Sequence, residues 1–255
     1  MRLVTYDRGG ARRLAAWVGD RVVDLPDAVG HPAFPATLEA LVARSGGSTM
    51  DAARAALEYP GAIDDFSVRR ATLLAPLTLG GTRTAPLLGP GQAVGWDCPP
   101  DARLVCRPQL ACVVGRPGTN LEEREALTVV FGYTLVNEWI AASPDRDDER
   151  LATSVGPCVV TIDDFDPSRR VLLVRVDGRR VAATTVGVAV ARAFARSLVR
   201  TSRVRAVQPG EIYGLRPLRR PLEVRIPQRR RRGRDPVVVS VEVPGIGSLE
   251  TPVSR

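Results

Sequence analysis

The chain has 255 residues, a formal net charge of +8 and 44% hydrophobic residues, enough for one large domain, or a large and a small one, with a core that needs no disulfide staples. All 36 basic residues are arginine and His31 is the only histidine, which excludes a Schiff-base lysine and leaves one imidazole for acid–base work. No apolar run approaches the roughly 20 residues of a spanning helix, and the polar opening Met1-Arg2-Leu3-Val4-Thr5-Tyr6-Asp7 has no leader-like core. A cytoplasmic protein without membrane contact is therefore expected.

In chain order, residues 2–7 and 14–24 alternate in the manner of a β-hairpin, with Gly19-Asp20 as a turn. Leu38, Leu41 and Val42 then recur on one helical face, and an Ala-rich second helix runs from Met50 to Tyr59, stopped by Pro60-Gly61. His31, in Gly30-His31-Pro32, reads as a solvated loop residue. Beyond residue 156 the chain is mostly β. Cys158-Val159-Val160-Thr161 and residues 171–176 are strand-like, and Asp177-Gly178 is a hairpin turn into Arg179-Arg180-Val181. A helix is predicted over 188–201, with Val190, Phe194 and Leu198 facing the core.

Cys98, Cys106, Cys112 and Cys158 lack the paired spacing of a zinc site and read as reduced thiols. Cys106 and Cys112 have no histidine nearby in sequence to activate them, and Ser143 and Ser154 have no triad partner beyond His31. Arg219, Arg220 and the basic run at 229–234 lack interleaved aromatics or a reading helix, so they read as solvated loops and no nucleic-acid binding is expected.

Three segments carry a family resemblance: Arg107-Pro108-Gln109-Leu110-Ala111-Cys112-Val113-Val114-Gly115, then Leu121-Glu122-Glu123-Arg124-Glu125-Ala126-Leu127, then Phe131-Gly132-Tyr133-Thr134-Leu135-Val136-Asn137-Glu138. Together they resemble the fumarylacetoacetate hydrolase (FAH) family, in which the first is a strand after Glu-x-Glu, the second a short helix, and the third ends Gly-Tyr-Thr-x-x-Asn-Asp. The closing strand–turn–strand at 237–253, with Gly245-Ile246-Gly247 at its turn, is similar to that family too. The resemblance implies an α/β protein with a predominantly β main domain, an FAH-type mixed β-sheet roll at 71–255, preceded by a small α/β N-terminal domain at 1–70. It also implies a homodimer.

In the family, the two Glu and the final Asp bind a divalent metal; the matching positions here are Arg107, Gln109 and Glu138. A hard cation requires several carboxylate oxygens, whereas a guanidinium repels it by roughly 4 kcal/mol per unit charge at about 4 Å and an effective dielectric near 20. No metal and no other cofactor is therefore expected. The segment that carries the family's catalytic histidine is missing, because Leu87-Leu88-Gly89-Pro90-Gly91 follows Pro76 almost at once, and the lysine-bearing loop is shortened to 148–155.

Two readings follow. In one, Arg107 replaces the metal as a fixed cation that holds a carboxylate or enolate, Glu138 orients it or acts as acid or base, Gln109 bonds to substrate oxygen, and Asn137 and Trp139 line the walls. That describes a metal-independent cyclase, lyase, dehydratase or isomerase acting on a small oxygen-rich acid or 1,3-dicarbonyl in specialised metabolism. In the other, Arg107 and Glu138 form a structural ion pair, and the chain is a pseudoenzyme serving as scaffold or partner subunit.

Overall fold

The computed structural model describes residues 1–58, 65–78, 85–96, 102–145, 147–187, 189–214, 222–226 and 236–254. The chain opens with an antiparallel meander, β1 (Arg2–Arg8), β2 (Ala11–Val18) and β3 (Arg21–Asp24), turned at Gly9-Gly10 and at the expected Gly19-Asp20. Three helices follow, α1 (Leu25–Val29), α2 (Leu38–Ala43) and α3 (Gly47–Glu58). Thr37 caps α2 by accepting from Ala40 N, and the predicted face of Leu38, Leu41 and Val42 is buried. The predicted end of α3 at Pro60-Gly61 lies outside the described residues. Short strands β4 (Asp65–Ser67), β5 (Leu73–Leu74), β6 (Leu87–Leu88) and β7 (Val94–Gly95) lead into the main domain.

Three long antiparallel strands form its centre: β8 (Arg103–Val114), β9 (Val130–Ala142) and β10 (Glu149–Thr161). Next come β11 (Arg170–Val176), β12 (Arg179–Val186), α4 (Ala189–Ser202), β13 (Ile212–Gly214), β14 (Val224–Arg225), β15 (Val237–Val243) and β16 (Gly247–Ser254). Among the described residues these strands make two sheets. The larger runs β13-β8-β9-β10-β1-β2-β3-β4, with β14, β5 and β6 attached, and the smaller runs β12-β11-β15-β16-β7. The parallel β10–β6 and β16–β7 pairs make both sheets mixed.

The predicted hairpin at Asp177-Gly178 is present, both residues having positive φ, and α4 buries Phe194 and Leu198 as its spacing requires. The outlying Val188 of that predicted helix is outside the described residues, as are Cys98, Arg219, Arg220 and the basic run at 229–234.

Two expectations are corrected. The short helix expected at 121–127 is instead a turn followed by one 3₁₀ turn, Ala126–Val129, because the β-branched run Thr128-Val129-Val130 passes directly into β9. The loop expected at 148–155 is mostly strand: from Glu149 onward it belongs to β10 and pairs with β9.

The N-terminal elements are continuous with this framework. β1 pairs with β10 through Arg2↔Val160 and Leu3↔Val159, and Leu3, Leu14, Leu25, Leu38, Leu41 and Met50 share one apolar cluster with Val113, Phe131 and Val159 of the central strands.

Candidate functional site

The site is laid out by strand register. Arg107 of β8 faces Glu138 of β9, Glu138 in turn faces Thr153 of β10, and Gln109 faces Val136. Paired residues on adjacent strands present their side chains to the same side of a sheet, and neighbours along one strand point to opposite sides. Arg107, Gln109, Glu138 and Thr153 therefore share one face.

Asn137 and Trp139 occupy the other face, which corrects the single five-residue pocket expected from the sequence. Trp139 is fully buried in the main core and donates from Nε1 to Ser154 Oγ at 2.8 Å, while Ser154 Oγ also accepts from Thr251 Oγ1 at 3.0 Å. Asn137 is buried there as well, hydrogen-bonded to Cys106. Although Asn137 and Trp139 both flank Glu138 in sequence, the strand's period of two separates them from it.

The Arg107–Glu138 ion pair is also corrected. Arg107 Nε donates to Glu223 Oε1 at 2.7 Å, and its Nη2 donates to Asp148 Oδ2 at 2.6 Å. β14 lies against the other edge of β8, with Val224 opposite Cys106, and this brings the preceding Glu223 alongside Arg107. Glu138 is engaged elsewhere: Arg150 Nη2 lies 2.8 Å from its Oε1, and Gln109 Nε2 donates to its Oε2 at 3.2 Å. Partial burial works against the Arg107 charge, but the bonds to Asp148 and Glu223 outweigh it and hold its pKa above the ordinary arginine value.

Arg150, Thr153, Asp148 and Glu223 were not anticipated. Arg150 and Thr153 are three apart, which on a regular strand places them on opposite faces. The pairing shifts register between Arg150↔Ile140 and Ala152↔Trp139, so that Leu151 is the extra residue of a bulge and both side chains return to the face of Glu138. Three buried polar atoms of this face, Thr134 Oγ1, Arg150 Nε and Thr153 Oγ1, have no hydrogen-bond partner. Such atoms are uncommon in folded proteins and mark places where water or a ligand completes the bonding.

A family-type divalent metal does not fit these residues. The three matching positions supply one carboxylate, one amide and one guanidinium, and the carboxylate already holds a second guanidinium. A divalent ion on Glu138 at about 5 Å from the Arg150 charge would meet a repulsion of roughly 6–7 kcal/mol at an effective dielectric near 20. Among the described residues there is no group of three or more His, Cys, Asp and Glu side chains able to hold a metal ion.

The three described cysteines, Cys106, Cys112 and Cys158, are buried. Desolvation pushes the Cys106 and Cys158 thiols up to about 12 and Cys112 higher still, which leaves them protonated at neutral pH. His31 is exposed, and its Nδ1 accepts from Ala33 N, as expected of a loop residue.

Two mixed sheets built on three long antiparallel strands define an FAH-type α/β fold. The family model for the fumarylacetoacetate hydrolase C-terminal domain matches residues 81–254, so the chain belongs to the fumarylacetoacetate hydrolase family. No curated protein matches it. Among solved structures, maleylpyruvate hydrolase from Sphingobium sp. SYK-6 is similar over 100% of this chain and 99% of its own, at a TM-score of 0.77 and 19% identity. A second structure of that enzyme, in complex with manganese(II) and pyruvate, is similar at a TM-score of 0.76. 2-Hydroxyhepta-2,4-diene-1,7-dioate isomerase from Mycobacterium marinum is similar at a TM-score of 0.68 and 19% identity, covering 100% of this chain and 98% of its own. At such identities the likeness speaks for the fold alone.

Proposed function

We propose that this chain is a metal-independent enzyme of the FAH fold, a cyclase, lyase, dehydratase or isomerase acting on a small oxygen-rich acid or 1,3-dicarbonyl in the cytoplasm. The observation that carries this reading is the face around Glu138. There, Arg107, Gln109 and Glu138 match the positions of the family's metal ligands, Arg150 and Gln109 hold the Glu138 carboxylate, and buried polar atoms of the face, Arg150 Nε and Thr153 Oγ1 among them, still lack partners. Donors with unspent capacity beside a fixed positive charge suit a substrate carboxylate or a developing enolate. Gln109 and Glu138 fix the orientation of that charge, and a solved relative that holds pyruvate makes 2-oxo acids the first compounds to try. A homodimer, as the family resemblance implies, completes the proposal.

The test is turnover of a panel of 2-oxo acids and 1,3-dicarbonyls followed by NMR, with and without EDTA. Turnover is expected to survive EDTA and to fall at least a hundredfold in Glu138→Gln; loss of turnover on chelation would sink the reading.

A pseudoenzyme is the second reading, and one observation favours it. Arg107 is bracketed by two carboxylates, Asp148 and Glu223, so its own charge is largely spent within the protein. Absence of any turnover or saturable ligand binding across the panel would decide for this alternative.

A further inference from the structure

We propose that Arg150 is a built-in cation that occupies the seat a divalent metal takes in related proteins, and that Arg107, which matches a metal-ligand position in sequence, is not. Arg107 is engaged by Asp148 and Glu223. Arg150 instead reaches the carboxylate that matches the family's third ligand, with Nη2 at 2.8 Å from Glu138 Oε1. The second family position, Gln109, completes the arrangement by donating to the opposite oxygen of that carboxylate at 3.2 Å. Glu138 is thus held from both sides, as a metal ligand would be by its ion, with Arg150 supplying the positive charge.

The feature that permits this lies in β10, not in the ligand positions. A bulge at Leu151 turns Arg150 onto the face of Glu138, and its Nε, buried there without a partner, leaves the guanidinium with an unused donor. The family's Glu-x-Glu could not simply be restored in this chain, because Arg150 would still neutralise Glu138 and repel the ion. The inference rests on the metal-free reading of the site given above, but it does not require that the protein turn over any substrate.

Manganese(II) binding, followed by electron paramagnetic resonance and calorimetry, tests it in four full-length proteins: wild type, Arg150→Ala, the double variant Arg107→Glu/Gln109→Glu, and the triple variant that adds Arg150→Ala to the double. Only the triple variant is expected to bind one manganese ion tightly, at least tenfold more tightly than the double. Equal affinity in the double and triple variants would overturn the proposal, and so would a folded triple variant without a manganese site.

Should circular dichroism show the triple variant unfolded, the single Arg150→Ala protein supplies the decision. Millimolar methylguanidinium is expected to raise its melting temperature saturably by several degrees, with no such effect on wild type or on Arg150→Ala/Glu138→Gln. No rise in Arg150→Ala, or the same rise in all three, rejects Arg150 as the cation on Glu138. Because none of these readouts is turnover, a failed activity screen and a failed cation hypothesis remain distinguishable.

Discussion

Arg107 shows how a side chain's role depends on its competitors. Glu138 is its register partner, yet both oxygens of Glu138 accept from other donors, and Glu223 and Asp148 are the carboxylates left to it. Its side chain is 24% exposed and both acids 41%, so solvent screens these pairs. Arg107→Met is therefore expected to cost only about 1 kcal/mol in urea melts, with the cost shrinking at high salt. A loss above about 3 kcal/mol would show that the network is effectively buried.

Asp24 is the contrasting case. It is buried at the start of α1, where it accepts from Arg13, Tyr6 and Asp27 N. Desolvation raises its pKa, but the bonds to Arg13, Tyr6 and Asp27 more than offset this and leave it below the ordinary 3.8. A depressed carboxylate contributes stability that is complete above the unfolded-state pKa and is lost as pH falls through the lower folded-state value. Stability should accordingly decline below about pH 4, and Asp24→Asn should be less stable at pH 7 with a flatter acid limb. An unchanged acid limb in that variant would count against the assignment.

At the scale of elements, the Phe131-Gly132-Tyr133-Thr134 motif has a packing reason. A Cβ on Gly132 would lie 2.2 Å from the carbonyl oxygen of Val160 in β10, a contact with backbone that no rotamer change relieves. Gly132→Ala should thus part β9 from β10 and cost about 2–4 kcal/mol, read as a lower denaturation midpoint. A variant as stable as wild type would mean that the strands approach less closely. Gly214 of β13 differs: a Cβ there would lie 2.4 Å from Gln109 Oε1, the far end of a flexible side chain. Gly214→Ala is expected to move the Gln109 amide off Glu138 with less than about 1.5 kcal/mol of lost stability, so it perturbs the site while sparing the fold.

At the scale of the whole molecule, the boundary near residue 70 is one of sequence pattern more than of structure. β1 extends the sheet at β10, and the N-terminal apolar residues share a cluster with Val113, Phe131 and Val159. A fragment of residues 71–255 would expose those side chains and the β10 edge to water, a combination that favours aggregation. We expect it to be aggregated or molten by size exclusion and near-ultraviolet circular dichroism. A monodisperse, cooperatively melting fragment would show 71–255 to be an independent domain.

The sequence by itself determined the fold and the frame of the site. Alternation, helical spacing and turn residues are local signals, and they placed β1–β3, α2, α4 and the β11–β12 hairpin; the motif residues at 107–138 aligned the central strands with the family. Through the family resemblance it also singled out Arg107, Gln109 and Glu138 as the residues that match the family's metal-ligand positions. What it could not disclose is which side chains meet there. Arg150 reaches Glu138 because a single extra residue at Leu151 reverses the facing of β10, and Glu223 reaches Arg107 because β14 docks on β8 more than a hundred residues away in sequence. Face and partner depend on register, and register is fixed only when the strands pair and the core on one side of the sheet selects which residues are buried.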